Sequence, residues 1–138
     1  MKKTLLLVAS ICLCLLLVGC GSKADNKAQG KPVAQEKMVV TVLDVGQADA
    51  ILLQTEGKNI LVDAGLSDNA ESLVAELKKL GVKKVDILVA THPHADHIGG
   101  MNAVLKNFEV GKIYDSGQVT TSKMYQKYLK TAKEKKIP

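Results

Sequence analysis

No arginine and no tryptophan occur in this chain of 138 residues, and histidine and cysteine occur three times each. Without guanidinium groups, paired N–H forks for phosphate or carboxylate are excluded, and anion contacts fall to lysine point charges and backbone amides. Long apolar runs are scarce as well. The one clear case is Thr4 to Val18, which follows Lys2 and Lys3. It is shorter than the ~20 residues of a comfortable membrane span, and it ends in small residues rather than a charged flank. It reads as an export signal. Cys12 and Cys14 are filler inside that segment and Cys20 closes it, so no thiol beyond it is left for a disulfide, a paired-cysteine zinc site or a nucleophile.

Leu17-Val18-Gly19-Cys20 is similar to the lipobox of bacterial lipoproteins. That resemblance implies cleavage before Cys20, acylation of Cys20 and an extracytoplasmic position, lipid-anchored to the bacterial cell membrane; a plain secreted protein is the alternative. The next residues, up to Lys37, have no apolar period and are rich in Lys, Gly, Ala and Gln, the composition of a solvated tether. The organisation expected is therefore a signal peptide at 1–19, a lipidated cysteine with flexible tether at 20–37, and a folded part at 38–138. That part is long enough for one small core or for a portion of a larger one. Discounting Lys2 and Lys3, 17 lysines against 14 acidic residues leave a net charge of +3, only mildly basic.

Three short runs, Val39-Val40-Thr41-Val42-Leu43, Ile51-Leu52-Leu53 and Ile60-Leu61-Val62, are β-branched or leucine-rich. Gly46-Gln47-Ala48-Asp49 and Glu56-Gly57-Lys58-Asn59 separate them and read as tight turns, so the fold opens with a β-meander. Asp68-Asn69-Ala70-Glu71 has the form of a capping box; Leu73, Val74, Leu77 and Leu80 follow at helical spacing, and Gly81 supplies the stop. Val85 to Ala90 is a fourth strand whose apolar residues predict burial on both faces. Ile98, Met101, Val104, Leu105 and Phe108 mark a second helix, Lys112-Ile113-Tyr114 a fifth strand, and Met124, Tyr125, Tyr128, Leu129 and Ala132 a third helix. Helices on one face of five strands leave the other face without a cover.

All three histidines stand in Thr91-His92-Pro93-His94-Ala95-Asp96-His97-Ile98-Gly99-Gly100. A loop at the end of a buried strand is where open α/β sheets place their ligands. In extended backbone His92 and His94 point the same way and offer imidazole nitrogens to one metal, while Asp96 and His97 turn toward a second position. Zinc suits this donor set best, with manganese or iron as substitutes. The bland alternative is a polar loop with local hydrogen bonds. Gly99-Gly100 would let the backbone turn sharply into the second helix.

The motif His92-Pro93-His94-Ala95-Asp96-His97, between a strand and a helix, resembles the signature of the metallo-β-lactamase superfamily. Together with Leu43 to Ala50 and Ile60-Leu61-Val62-Asp63-Ala64-Gly65, it resembles the branch found in the extracellular domain of DNA-uptake competence channels. The resemblance implies an α/β fold, the N-terminal half of a four-layer αββα sandwich. It also implies a dinuclear hydrolytic site with His92 and His94 on one ion and Asp96 and His97 on the other, Asp96 orienting the nucleophile. Asp63 is then either an acceptor for a ligand histidine N–H or a turn-capping aspartate before Gly65.

Two features depart from the family pattern. Ala48 replaces a usual glycine, which leaves Gln47 and Asp49 as hairpin-turn residues. No histidine follows His97, so each ion would hold two protein ligands from this loop, and weak or absent metal binding by a truncated chain is expected. The branch favours a phosphodiester or nucleic-acid substrate; the lysine-rich tail at 123–136 reads as a solvated face, with no interleaved aromatic platform. A lactam, lactone or thioester hydrolase on the same fold is one rival reading. A non-catalytic, lipid-anchored fragment or interaction module is the other.

Overall fold

The computed structural model describes residues 37–138; the expected signal peptide, Cys20 and the expected tether as far as residue 36 lie outside the described residues. Five strands form one sheet in sequence order: β1 (Val39–Val42), β2 (Ile51–Thr55), β3 (Lys58–Val62), β4 (Lys84–Ala90) and β5 (Glu109–Asp115). The first three are antiparallel, and β4 and β5 then run parallel to β3, each reached through helical connections. Parallel pairing needs such crossovers. Among the described residues no helix is long and apolar enough to cross a membrane.

The first crossover is α1 (Ala70–Lys79), preceded by a 3₁₀ turn at Ser67–Asn69. Leu73, Val74 and Leu77 face the sheet and are buried, each worth about 1.5–3 kcal/mol of apolar burial. The capping box does not form: Asn69 is the N-cap and makes no side-chain cap bond, because the 3₁₀ turn has already taken up Asp68. The C-terminus ends as the sequence predicts. Gly81 at φ +82 sends its N–H to Lys78 O (3.0 Å) and Val82 N–H reaches Leu77 O (3.0 Å), a Schellman closure that a Cβ at this φ would strain.

The second crossover is two helices rather than one, α2 (Ala95–Ile98) and α3 (Met101–Asn107). Gly99 and Gly100 lie between them with ordinary right-handed φ, so the glycines are not there to turn the chain. They permit close approach. A Cβ on Gly99 would sit 2.6 Å from Gly65 O, and one on Gly100 would overlap Ala64 O. The last helix, α4 (Lys123–Glu134), buries Tyr125, Tyr128 and Ala132 against the same face.

Among the described residues the helices gather on one sheet face over Leu52, Leu61 and Leu88. The opposite face carries two cross-strand rows, Val40·Leu53·Ile60·Ile87·Lys112 and Val42·Ile51·Val62·Val89·Tyr114. No layer covers these rows among the described residues, and Val40, Val42 and Tyr114 are exposed. Hence β4 is not buried on both faces: Leu88 and Ala90 are enclosed, whereas Ile87 and Val89 stay half-buried.

Candidate metal centre

β3 and β4 are parallel, with Val62 opposite Val89, so their C-terminal ends open side by side. Asp63 follows β3 and Thr91 follows β4. Asp63 adopts φ 58, a left-handed conformation that costs a non-glycine residue roughly 1–2 kcal/mol. Its N–H donates to Val89 O (2.9 Å), and its buried carboxylate turns toward the β4 end.

That carboxylate accepts three bonds. Thr91 N–H donates to Oδ1 (2.9 Å), while the Thr91 hydroxyl (2.6 Å) and His97 Nδ1 (2.7 Å) both reach Oδ2. Because an ionised carboxylate only accepts, His97 carries a proton on Nδ1, and Nε2 is the ring nitrogen turned outward. The Thr91 hydroxyl proton is likewise committed to Asp63. Its oxygen is then left to accept from His92 Nδ1, 3.1 Å away, which frees Nε2 of His92 as well. One buried carboxylate thus sets the tautomers of two histidines.

The rings stand together. His92 lies edge-on to His94 with centroids 4.5 Å apart, and 3.9 Å from the His97 ring. Asp96 brings Oδ2 to 3.6 Å from His97 Nε2. His92, His94, Asp96 and His97 therefore share one patch, with Asp63 beneath it. Of the two sequence readings of Asp63, the geometry agrees with the acceptor for a histidine N–H: its carboxylate bonds go to Thr91 and His97, and Gly65 N–H goes to Asp49 O rather than to Asp63.

Asp49 joins them, and the sequence reading missed it. Residues 43–50 do not make a tight hairpin; Leu43, Val45 and Ala50 are buried and draw the segment over the end of the sheet. Asp49 N–H donates to Asp96 O (3.2 Å) and Gly65 N–H to Asp49 O (2.9 Å). Ala64 N–H reaches His97 O (2.7 Å) and Gly100 N–H reaches Gly65 O (3.1 Å), so three loops are knitted into one platform. The Asp49 carboxylate ends 3.6 Å from His97 Nε2. Its sequence signal was its place in the Leu43 to Ala50 motif, where Ala48 in place of the usual glycine left it read as a turn residue.

The family model for the metallo-β-lactamase superfamily matches residues 43–136, a span that takes in all three loops. The chain belongs to the metallo-β-lactamase superfamily. Competence protein ComA of Neisseria gonorrhoeae is 32% identical over 124 residues, 81% of this chain and 17% of that protein. A UPF0173 metal-dependent hydrolase of Cupriavidus taiwanensis is 32% identical over 114 residues, 80% of this chain and 40% of that protein. Exodeoxyribonuclease YycJ of Bacillus anthracis is 34% identical over 56 residues, 41% of this chain and 21% of that protein. Within the superfamily the chain stands with the ComA-like branch and corresponds to the N-terminal half of the metallo-β-lactamase sandwich. It spans 40% or less of the length of each of these relatives.

The superfamily is metal-dependent, and the donor chemistry suits a divalent ion: imidazole lone pairs fixed from behind, with carboxylates beside them. Among the described residues no three such side chains are closed to coordination distance as they stand. The side chains of Asp96 and Asp49 beside His97 are 47% and 65% exposed.

Proposed function

We propose that this chain carries the metal-binding half of a two-metal hydrolase directed at phosphodiesters, including nucleic acid. The observation behind the reading is the Asp63–Thr91 network, which turns Nε2 of both His92 and His97 outward beside Asp96. His92 and His94 would hold one ion, and Asp96 and His97 the other, with zinc the best match and manganese or iron as substitutes. Divalent ions there supply Lewis acidity for hydrolysis at neutral pH. Asp96, partly exposed, accepts a hydrogen bond from the attacking water and orients it. Asp63 touches no substrate; it positions His97.

The phosphodiester preference is supported by the names of two relatives, a competence protein and an exodeoxyribonuclease. Location follows from residues 1–20 alone: acylation of Cys20 would hold the domain on the outer side of a membrane. Cleavage of bis-para-nitrophenyl phosphate or single-stranded DNA with zinc or manganese, lost in Asp96→Ala, is the expected result for the protein extracted from its own membrane. Opening of a chromogenic cephalosporin instead would move the assignment to a lactamase. No turnover of any of these would favour the non-catalytic module.

A further inference from the structure

We infer that Asp49 is a third protein ligand to the ion held by Asp96 and His97; the inference rests on the metal-centre reading above. His97, its Nδ1 held by Asp63, turns Nε2 toward two carboxylate oxygens, Asp96 Oδ2 and Asp49 Oδ2, each 3.6 Å away. Two carboxylates and one imidazole nitrogen thus converge on one point of the surface. A divalent cation at that point would draw both carboxylates onto itself. Donor atoms on one tetrahedral zinc, with bonds of about 2.0–2.2 Å, are separated by about 3.3–3.6 Å, and both distances from Nε2 match that edge.

The backbone places Asp49 there independently of its side chain. Its N–H is bound to Asp96 O, its carbonyl accepts from Gly65 N–H, and Asn69 Nδ2 donates to Val45 O (2.7 Å) to hold the loop from behind. Thus the Cα atoms of Asp49 and Asp96 are tied by a main-chain bond, while both carboxylates remain free to swing onto a shared ion. A third ligand raises this position from two protein donors to the three that a catalytic zinc site ordinarily uses.

Cobalt(II) titration of the full purified chain, read by calorimetry and by visible absorption, tests the inference without any activity assay. Asp49→Asn should weaken binding by about 10–100-fold or more and alter the absorption bands, because a coordinating oxygen is lost. Asp44→Asn, in the same loop, should leave both unchanged. Asp49→Ala serves if the asparagine perturbs the loop, with circular dichroism to verify folding. Unchanged affinity and spectrum in Asp49→Asn, with loss in Asp96→Asn, would overturn the role of Asp49 and spare the metal centre. No stoichiometric cobalt on the unaltered chain would overturn both.

Discussion

Replacing Asp63 with asparagine changes one atom and should disable the network beneath the histidines. Asparagine tolerates the left-handed backbone about as well as aspartate, so the φ of 58 adds no new strain. The amide oxygen can serve either Thr91 N–H or the pair formed by the Thr91 hydroxyl and His97 Nδ1, not both. If the NH₂ faces Thr91 N–H, a buried donor is orphaned at a cost of ~1–3 kcal/mol, and the remaining bonds lose their charge assistance, roughly 1 kcal/mol each. If it faces His97, the ring must accept at Nδ1, and its proton moves to Nε2. The net loss is about 3 kcal/mol. For a domain of this size, ~4–8 °C per kcal/mol converts it to a fall in Tm of roughly 12–24 °C. Calorimetry with a chelator present measures this, and long-range ¹⁵N–¹H spectra of the imidazoles identify the tautomer. A fall in Tm under ~4 °C, with His97 still protonated at Nδ1, would refute the reasoning.

Other perturbations follow from the same geometry. Gly100→Ala should destabilise by about 1–3 kcal/mol or more in urea unfolding, because the new methyl overlaps Ala64 O although the backbone angle is permissive. Tyr128 is buried, and burial first, then nearby Asp115, push its phenol well above the ordinary value of 10. Since the unfolded chain ionises first, this contribution to stability is complete below about pH 10 and is lost as pH rises beyond it. Tyr128→Phe should flatten that alkaline decline, as urea midpoints at about pH 9 and pH 11 would reveal.

Local signals carried much of the fold into the sequence. The stripe Leu73, Val74, Leu77 and the stop at Gly81 are settled within one helix, and α1 forms where they place it. The five β-rich runs all become strands, and the uncovered sheet face was foreseeable from helices crossing on one side. What failed was decided by distant backbone. The break between α2 and α3 exists because Gly99 and Gly100 press on residues 64–67, a contact with no trace in the spacing of Ile98, Met101 and Val104. Similarly, Gly46 to Asp49 looked like a hairpin turn until bonds to Asp96 and Gly65 drew it across the sheet end. The histidine cluster was legible because its members are neighbours in the chain; Asp49 was not, because it lies far from them in sequence.

The most direct measurement is metal content of the purified chain after equilibration with zinc and removal of free ion, compared with His97→Ala. Stoichiometric zinc that the substitution abolishes or halves is the expected result. A chain that retains no zinc, or one that retains the same amount without His97, would contradict the metal centre itself.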